Sequence, residues 1–182
     1  MNLKIFTDGG SRGNPGPAAC GFVVYEIPPS PATKQGFGEA RPAFVHKDSG
    51  EARAGKVREL SGNYIKKIAS RGKYLGITTN NEAEYQGVIS AWEWLQNERL
   101  AVREKQLEIN FYLDSLLVVQ QLNGVWKIKE ARLRELLLKV KKLESQVTNL
   151  YLLTSIRHTH IPRAQNKEAD LVVNETLDAH RP

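Results

Sequence analysis

The amino-acid sequence predicts an α/β domain in which helices pack on one mixed β-sheet. Stretches with apolar residues at every second position are interspersed with stretches of helical period. Their order, three strands, a helix, a strand, two helices, a strand and a helix, suits a mixed sheet. The length of 182 residues, with 41% hydrophobic and 25% charged, is enough for one domain to bury its own core.

Taken in order, LKIFTD alternates Leu3, Ile5 and Thr7 with Lys4, Phe6 and Asp8, a strand ending in a carboxylate. The turn-rich run GGSRGNPGPAA follows, and then CGFVVYE, so the first two strands read as a hairpin. A third strand is expected within Asn63 to Gly76. Between strands two and three, residues 27–62 form a basic, Pro- and Gly-rich insertion too long for a hairpin loop. After TTNN the period becomes helical, with Ala83, Val88, Ala91, Trp92 and Leu95 on one face and Asn80 or Asn81 suited to the N-cap. LEINFYLD is a further strand ending in a carboxylate, Asp114. SLLVVQQLN is a short helix stopped by Gly124, and a longer helix places Leu133, Leu136, Leu137, Val140 and Leu143 on its apolar face. A last strand is expected over 151–160 and a last helix from Gln165 to Ala179, with no repeat and no second domain in 1–182.

Composition narrows the class. The single cysteine, Cys20, excludes an intramolecular disulfide and suits a reducing, cytoplasmic setting. No apolar run approaches the roughly 20 residues of a membrane helix, and the first residues lack a signal-peptide pattern, so no membrane association is expected. The formal net charge of +6 is uneven. Residues 27–74 hold ten basic and four acidic residues, 116–146 hold seven and three, and the remainder is net acidic. A basic excess in two segments fits a polyanion such as nucleic acid, or else a solvated surface. Nothing points to oligomerisation, and a monomer is expected.

Four acids fall in equivalent places: Asp8 and Asp114 at strand ends, Glu84 and Asp170 in the first turns of helices. If they converge at one edge of the sheet, they stay ionised together only with a compensating cation. Hard oxygen ligands suit Mg²⁺ or Mn²⁺, and two such ions about 3.5–4 Å apart are a common arrangement for phosphodiester cleavage. Singly, each acid reads as a cap or as solvated surface.

The segments TDGGSRGNPGPAACGFVV, TTNNEAEY, YLDSLLVVQQLNG and HIPRAQNKEADLVVNETLD resemble, in order, the successive motifs of type 1 ribonuclease H. The resemblance covers residues 3–26 and about 64–179 and omits the insertion. It implies a ribonuclease H-like fold: a five-stranded mixed sheet, three antiparallel strands then two parallel, with helices on both faces. It also implies that Asp8, Glu84, Asp114 and Asp170, and not Glu82, are the catalytic and metal-binding acids. The implied reaction is two-metal-ion endonucleolytic hydrolysis of the RNA strand of an RNA/DNA hybrid, leaving 5′-phosphate and 3′-hydroxyl ends. Asp8 would bridge the two ions. A non-catalytic hybrid-binding module and a related nuclease acting on another structured nucleic acid are the alternatives.

Asn14, Asn80 and Asn81 match family positions that contact the minor groove, and Thr79 matches one that holds a DNA phosphate. Their local readings are a turn residue for Asn14 and a helix cap for Thr79 or Asn80. His160 occupies the place of the family's mobile histidine, while Arg163 matches an arginine that in compact members faces the scissile phosphate; both readings stand. After LNG the chain has no room for the extra basic helix of some members, and Leu116 replaces a polar residue two after the third acid. Trp126, Lys127, Lys129 and the insertion are therefore candidate substitutes that grip the phosphate backbone. Taken alone, Trp126 reads as a core residue.

Overall fold

The computed structural model describes residues 1–27, 65–98, 107–150 and 153–181, so the insertion falls almost wholly outside the described residues. The elements are β1 (Asn2–Ser11), β2 (Gly16–Ile27), β3 (Lys66–Thr78), α1 (Asn80–Asn97), β4 (Leu107–Leu113), α2 (Leu116–Leu122), α3 (Ala131–Leu150), β5 (Leu153–His160) and α4 (Lys167–Ala179). A single 3₁₀ turn, Arg163–Gln165, precedes α4. The five strands form one sheet in the order β3-β2-β1-β4-β5. β1, β2 and β3 are antiparallel neighbours, whereas β4 runs parallel to β1 and β5 parallel to β4. The predicted architecture is the observed one, with several boundaries shifted. β1 does not end at Asp8 but runs on to Ser11, because the hairpin keeps it paired to β2 as far as Ser11 opposite Ala18.

The core lies between the sheet and the apolar faces of α1 and α3. Leu3, Ile5, Tyr85, Trp92, Ile109 and Phe111 are fully buried within it, and Val140 seals it from α3. Burial of side chains this large stabilises by about 1.5–3 kcal/mol each. On the opposite face of the sheet α4 packs on β1, β2 and β3, with Val173 and Leu177 against Ala19. Gly124, at φ +73°, follows the end of α2 as its spacing predicts. Among the described residues no helix is long and apolar enough to cross a membrane.

Candidate active site

The parallel pairing of β1 with β4 runs only from Asn2 opposite Glu108 to Phe6 opposite Tyr112. Asp8 therefore lies just past the register that ends with β4, and Asp114 immediately follows that strand. The third acid arrives through an unusually close helix–strand contact. A Cβ on Gly9 would lie 2.1 Å from the Ala83 backbone, and one on Gly87 would lie 2.7 Å from the Asp8 carbonyl oxygen. Only glycine permits α1 and β1 to touch backbone to backbone here. That contact sets Glu84 beside Asp8. One oxygen from each of Asp8, Glu84 and Asp114 lies within 4.8 Å of the others.

Asp8 and Glu84 are 6% exposed. Burial, followed by the nearby charges of Asp114 and Asp170, raises the Asp8 pKa to about 7 against the opposing effect of the Gly9 amide. Glu84 is pushed well up by burial and then by Asp8 and Asp114. Among the described residues its Oε2 is buried without a hydrogen-bond partner. An orphaned carboxylate oxygen among like charges fits an oxygen-liganded divalent cation.

Asp170 stands outside this group of three. Arg163 donates to its Oδ1 at 2.6 Å, and Asn174 donates to its Oδ2 at 3.0 Å. The Arg163 guanidinium also lowers the pKa values of Asp8 and Glu84, so it is a shared counter-charge for the cluster. His160 is exposed at the end of β5, in register with Leu113. Of the two residues, Arg163 is the one with a direct contact to an acid.

Asn14, Thr79, Asn80 and Asn81 gather at the amino-terminal end of α1. The Asn14 side-chain oxygen accepts from the Asn80 N–H at 3.2 Å, and the Asn80 oxygen accepts from the Ser11 N–H at 3.3 Å. These bonds tie the β1–β2 turn to the start of α1. Thr79, rather than Asn80 or Asn81, is the N-cap: its hydroxyl accepts from the Glu82 N–H while Glu82 accepts from the Thr79 N–H at 3.0 Å. Asn80 is thereby left exposed, and Asn81 is half-buried. Glu82, closed into this capping box, is structural, in keeping with the choice of Glu84 as the acid.

A family model described as "Reverse transcriptase-like" matches residues 41–176. The chain is similar to Ribonuclease HI of Halobacterium salinarum, with 30% identity over 97% of this chain and 64% of that protein. It is also similar to a bifunctional protein of Mycobacterium tuberculosis, 30% identical over 98% of this chain but only 36% of the relative. The chain thus spans about a third of the length of the first curated relatives it matches. Among solved structures, RNase H1 of Halobacterium salinarum superposes with a TM-score of 0.66 at 28% identity, covering 98% of this chain and 99% of that one. LC11-RNase H1, solved in complex with an RNA/DNA hybrid, superposes at 0.65 with 30% identity and 97% coverage of both chains. The chain belongs to the type 1 ribonuclease H family.

Within this ribonuclease H fold, two further features depart from the sequence reading. Trp126 is 47% exposed and not a core residue, because its N–H and that of Val125 both bond back to the Gln120 carbonyl and turn the segment outward. Lys127 and Lys129 are exposed next to it. The second is Asn166, a residue of the HIPRAQNKEAD motif to which the sequence reading assigns no role. Its position before α4 suggests an N-cap, yet its side chain makes no cap. The buried amide instead donates to the Thr7 carbonyl at 3.0 Å and to Asp114 Oδ1 at 2.9 Å, fixing β1 and Asp114 to each other.

Proposed function

We propose that this chain is an endoribonuclease that hydrolyses the RNA strand of RNA/DNA hybrids and leaves 5′-phosphate and 3′-hydroxyl ends. The observation that carries the reading is the convergence of Asp8, Glu84 and Asp114 within 4.8 Å, with Glu84 Oε2 buried and unpartnered among the described residues. A module that only binds has no use for mutually repelling carboxylates, which destabilise it unless neutralised.

Asp8, Glu84, Asp114 and Asp170 would hold Mg²⁺ or Mn²⁺. Two such ions supply an activated water nucleophile and charge stabilisation of the leaving 3′ oxygen. The chain's own contribution is to hold these groups in place. Asn166 fixes the Asp114 carboxylate. Arg163, more than three-quarters exposed and already turned toward the acids, can exchange Asp170 for a non-bridging oxygen of the scissile phosphate. Asn14, Asn80 and Asn81 can both donate to and accept from ribose 2′-hydroxyls, the groups that distinguish RNA from DNA. Thr79, whose hydroxyl donates to Glu82 at 2.8 Å, would turn that donor to a phosphate of the DNA strand. Trp126, Lys127, Lys129 and the basic insertion at 27–62 would grip the backbone farther out.

The test is cleavage of a labelled hybrid with Mg²⁺ or Mn²⁺, beside duplex DNA and duplex RNA. Wild type should cut only the RNA of the hybrid, and Asp114→Asn should lose about a hundredfold or more of the rate. No cleavage with either metal would refute the activity, and equal cleavage by the variant would refute the site.

A further inference from the structure

A cavity of about 460 Å³ lies beside the carboxy-terminal end of α4, away from the acids, lined by Arg12, Pro17, Tyr74, Leu177, His180 and Arg181. Its size falls within the range of small-ligand sites, about 300–1,000 Å³. One wall is aromatic. Tyr74 packs on Ala19, Val173 and Leu177, and the His180 ring stacks on Tyr74 at 4.5 Å with planes only 6° apart. His180 Nδ1 lies 2.8 Å from the Thr176 carbonyl oxygen. A carbonyl only accepts, so Nδ1 carries the hydrogen and the ring plane is held. The inner face of the stack is covered by the core, which leaves the exposed imidazole as its outer member.

The rim is cationic. Asp178 pairs with both Arg12 and Arg181, the latter at 3.0 Å. One carboxylate between two guanidiniums leaves a net positive charge, and ten N–H donors cannot all be used by two carboxylate oxygens. A flat aromatic wall next to a net positive rim is complementary to a nucleobase and its phosphate. The pocket also adjoins the proposed nucleic-acid face through the β1–β2 turn, where the Arg12 N–H donates to the Pro17 carbonyl at 2.8 Å and Asn14 accepts from Asn80. From Asp170 the rise along α4 to Asp178 is about 12 Å.

We propose that this pocket binds one unpaired nucleotide at a single-stranded extension of the nucleic acid, its base against His180 and its phosphate between Arg12 and Arg181. The polymeric source rests on the hybrid-cleaving reading above; the ligand chemistry is shared with a free 5′-mononucleotide. Two probes separate these sources. Fluorescence anisotropy of the full chain without divalent metal compares a blunt hybrid with the same hybrid carrying a three-nucleotide overhang. Titration with adenosine 5′-monophosphate, followed by NMR of the His180 ring, tests the pocket alone. The overhang should tighten binding about fivefold or more. His180→Ala and Arg181→Gln should each remove that gain, leaving blunt-hybrid binding and cleavage unchanged. If wild type binds and cuts blunt hybrid but gains nothing from the overhang, or if the gain survives both variants, the strand-end site is overturned while the activity stands. If blunt hybrid is neither bound nor cut but the monophosphate shifts His180 in wild type and not in Arg181→Gln, the pocket stands and the hybrid-cleaving reading falls.

Discussion

Asp8 and Glu84, where β1 meets α1, are almost fully buried, lie among like charges and leave one oxygen without a partner. Asp170, on α4, is half-buried, and both of its oxygens are satisfied by Arg163 and Asn174. In the absence of a metal cation the protein thus neutralises its cluster in two ways. On the α1 side burial raises the pKa values of Asp8 and Glu84 and so favours their protonated forms; the α4 side uses the solvent-exposed guanidinium of Arg163. A rigid, destabilised half and an adjustable, compensated half suit a site that must accept cations and then a moving polyanion.

Disturbing the rigid half should have the largest consequence. Gly9→Ala places a methyl group inside the α1 backbone, and Gly87→Ala places one against the Asp8 carbonyl. Either should destabilise the fold by about 3 kcal/mol or more, read as a fall in urea midpoint, and should abolish cleavage. The pH dependence of metal-free stability follows next. A carboxyl whose folded pKa is raised contributes fully only while it is protonated in both states. Asp8 should therefore cost stability progressively as pH rises from about 4 toward 7, at roughly 1.4 kcal/mol per unit at most. Glu84 acts in the same direction. Saturating Mg²⁺ should flatten this slope; a metal-free melting temperature independent of pH between 4 and 7 would contradict the assignment.

Asn166→Ala tests the tie between β1 and β4. Losing its two donated bonds should cost about 1–3 kcal/mol and reduce kcat more than KM, since Asp114 is then free to turn away. The smallest expected change in stability, below about 1 kcal/mol, belongs to Arg163→Ala, because its ion pair with Asp170 is solvent-exposed. Its kcat should nevertheless fall, with little change in the metal concentration needed for half-maximal rate. An unchanged kcat would leave Arg163 as a surface partner only.

Periodicity and turn chemistry alone were enough to place all five strands and four helices, because amphipathic patterns and glycine-rich turns are local consequences of which side of each element meets the core. The candidate acids were also marked in the sequence by their places near element ends and by the motifs around them, and three of them, Asp8, Glu84 and Asp114, come together in the structure. What remained hidden was set by contacts distant in sequence. Of the caps the sequence offered, Thr79 is the one used, through its local box with Glu82, whereas the Asn80 amide is taken by Asn14, far away in the chain. The exposure of Trp126 followed from backbone bonds to Gln120, which no side-chain pattern announces.

Residue identity by itself determined that carboxylates would stand in β1, directly after β4 and near the starts of α1 and α4. Only the tertiary structure decided which of them would share one buried space. That choice depended on Gly9 and Gly87 letting two backbones touch, and on Asn166 spanning Thr7 and Asp114. The same holds for the pocket of Tyr74 and His180, residues 106 positions apart that meet only because α4 lies across β3. Close packing is a property of pairs of surfaces, and a sequence read one segment at a time contains only one surface of each pair.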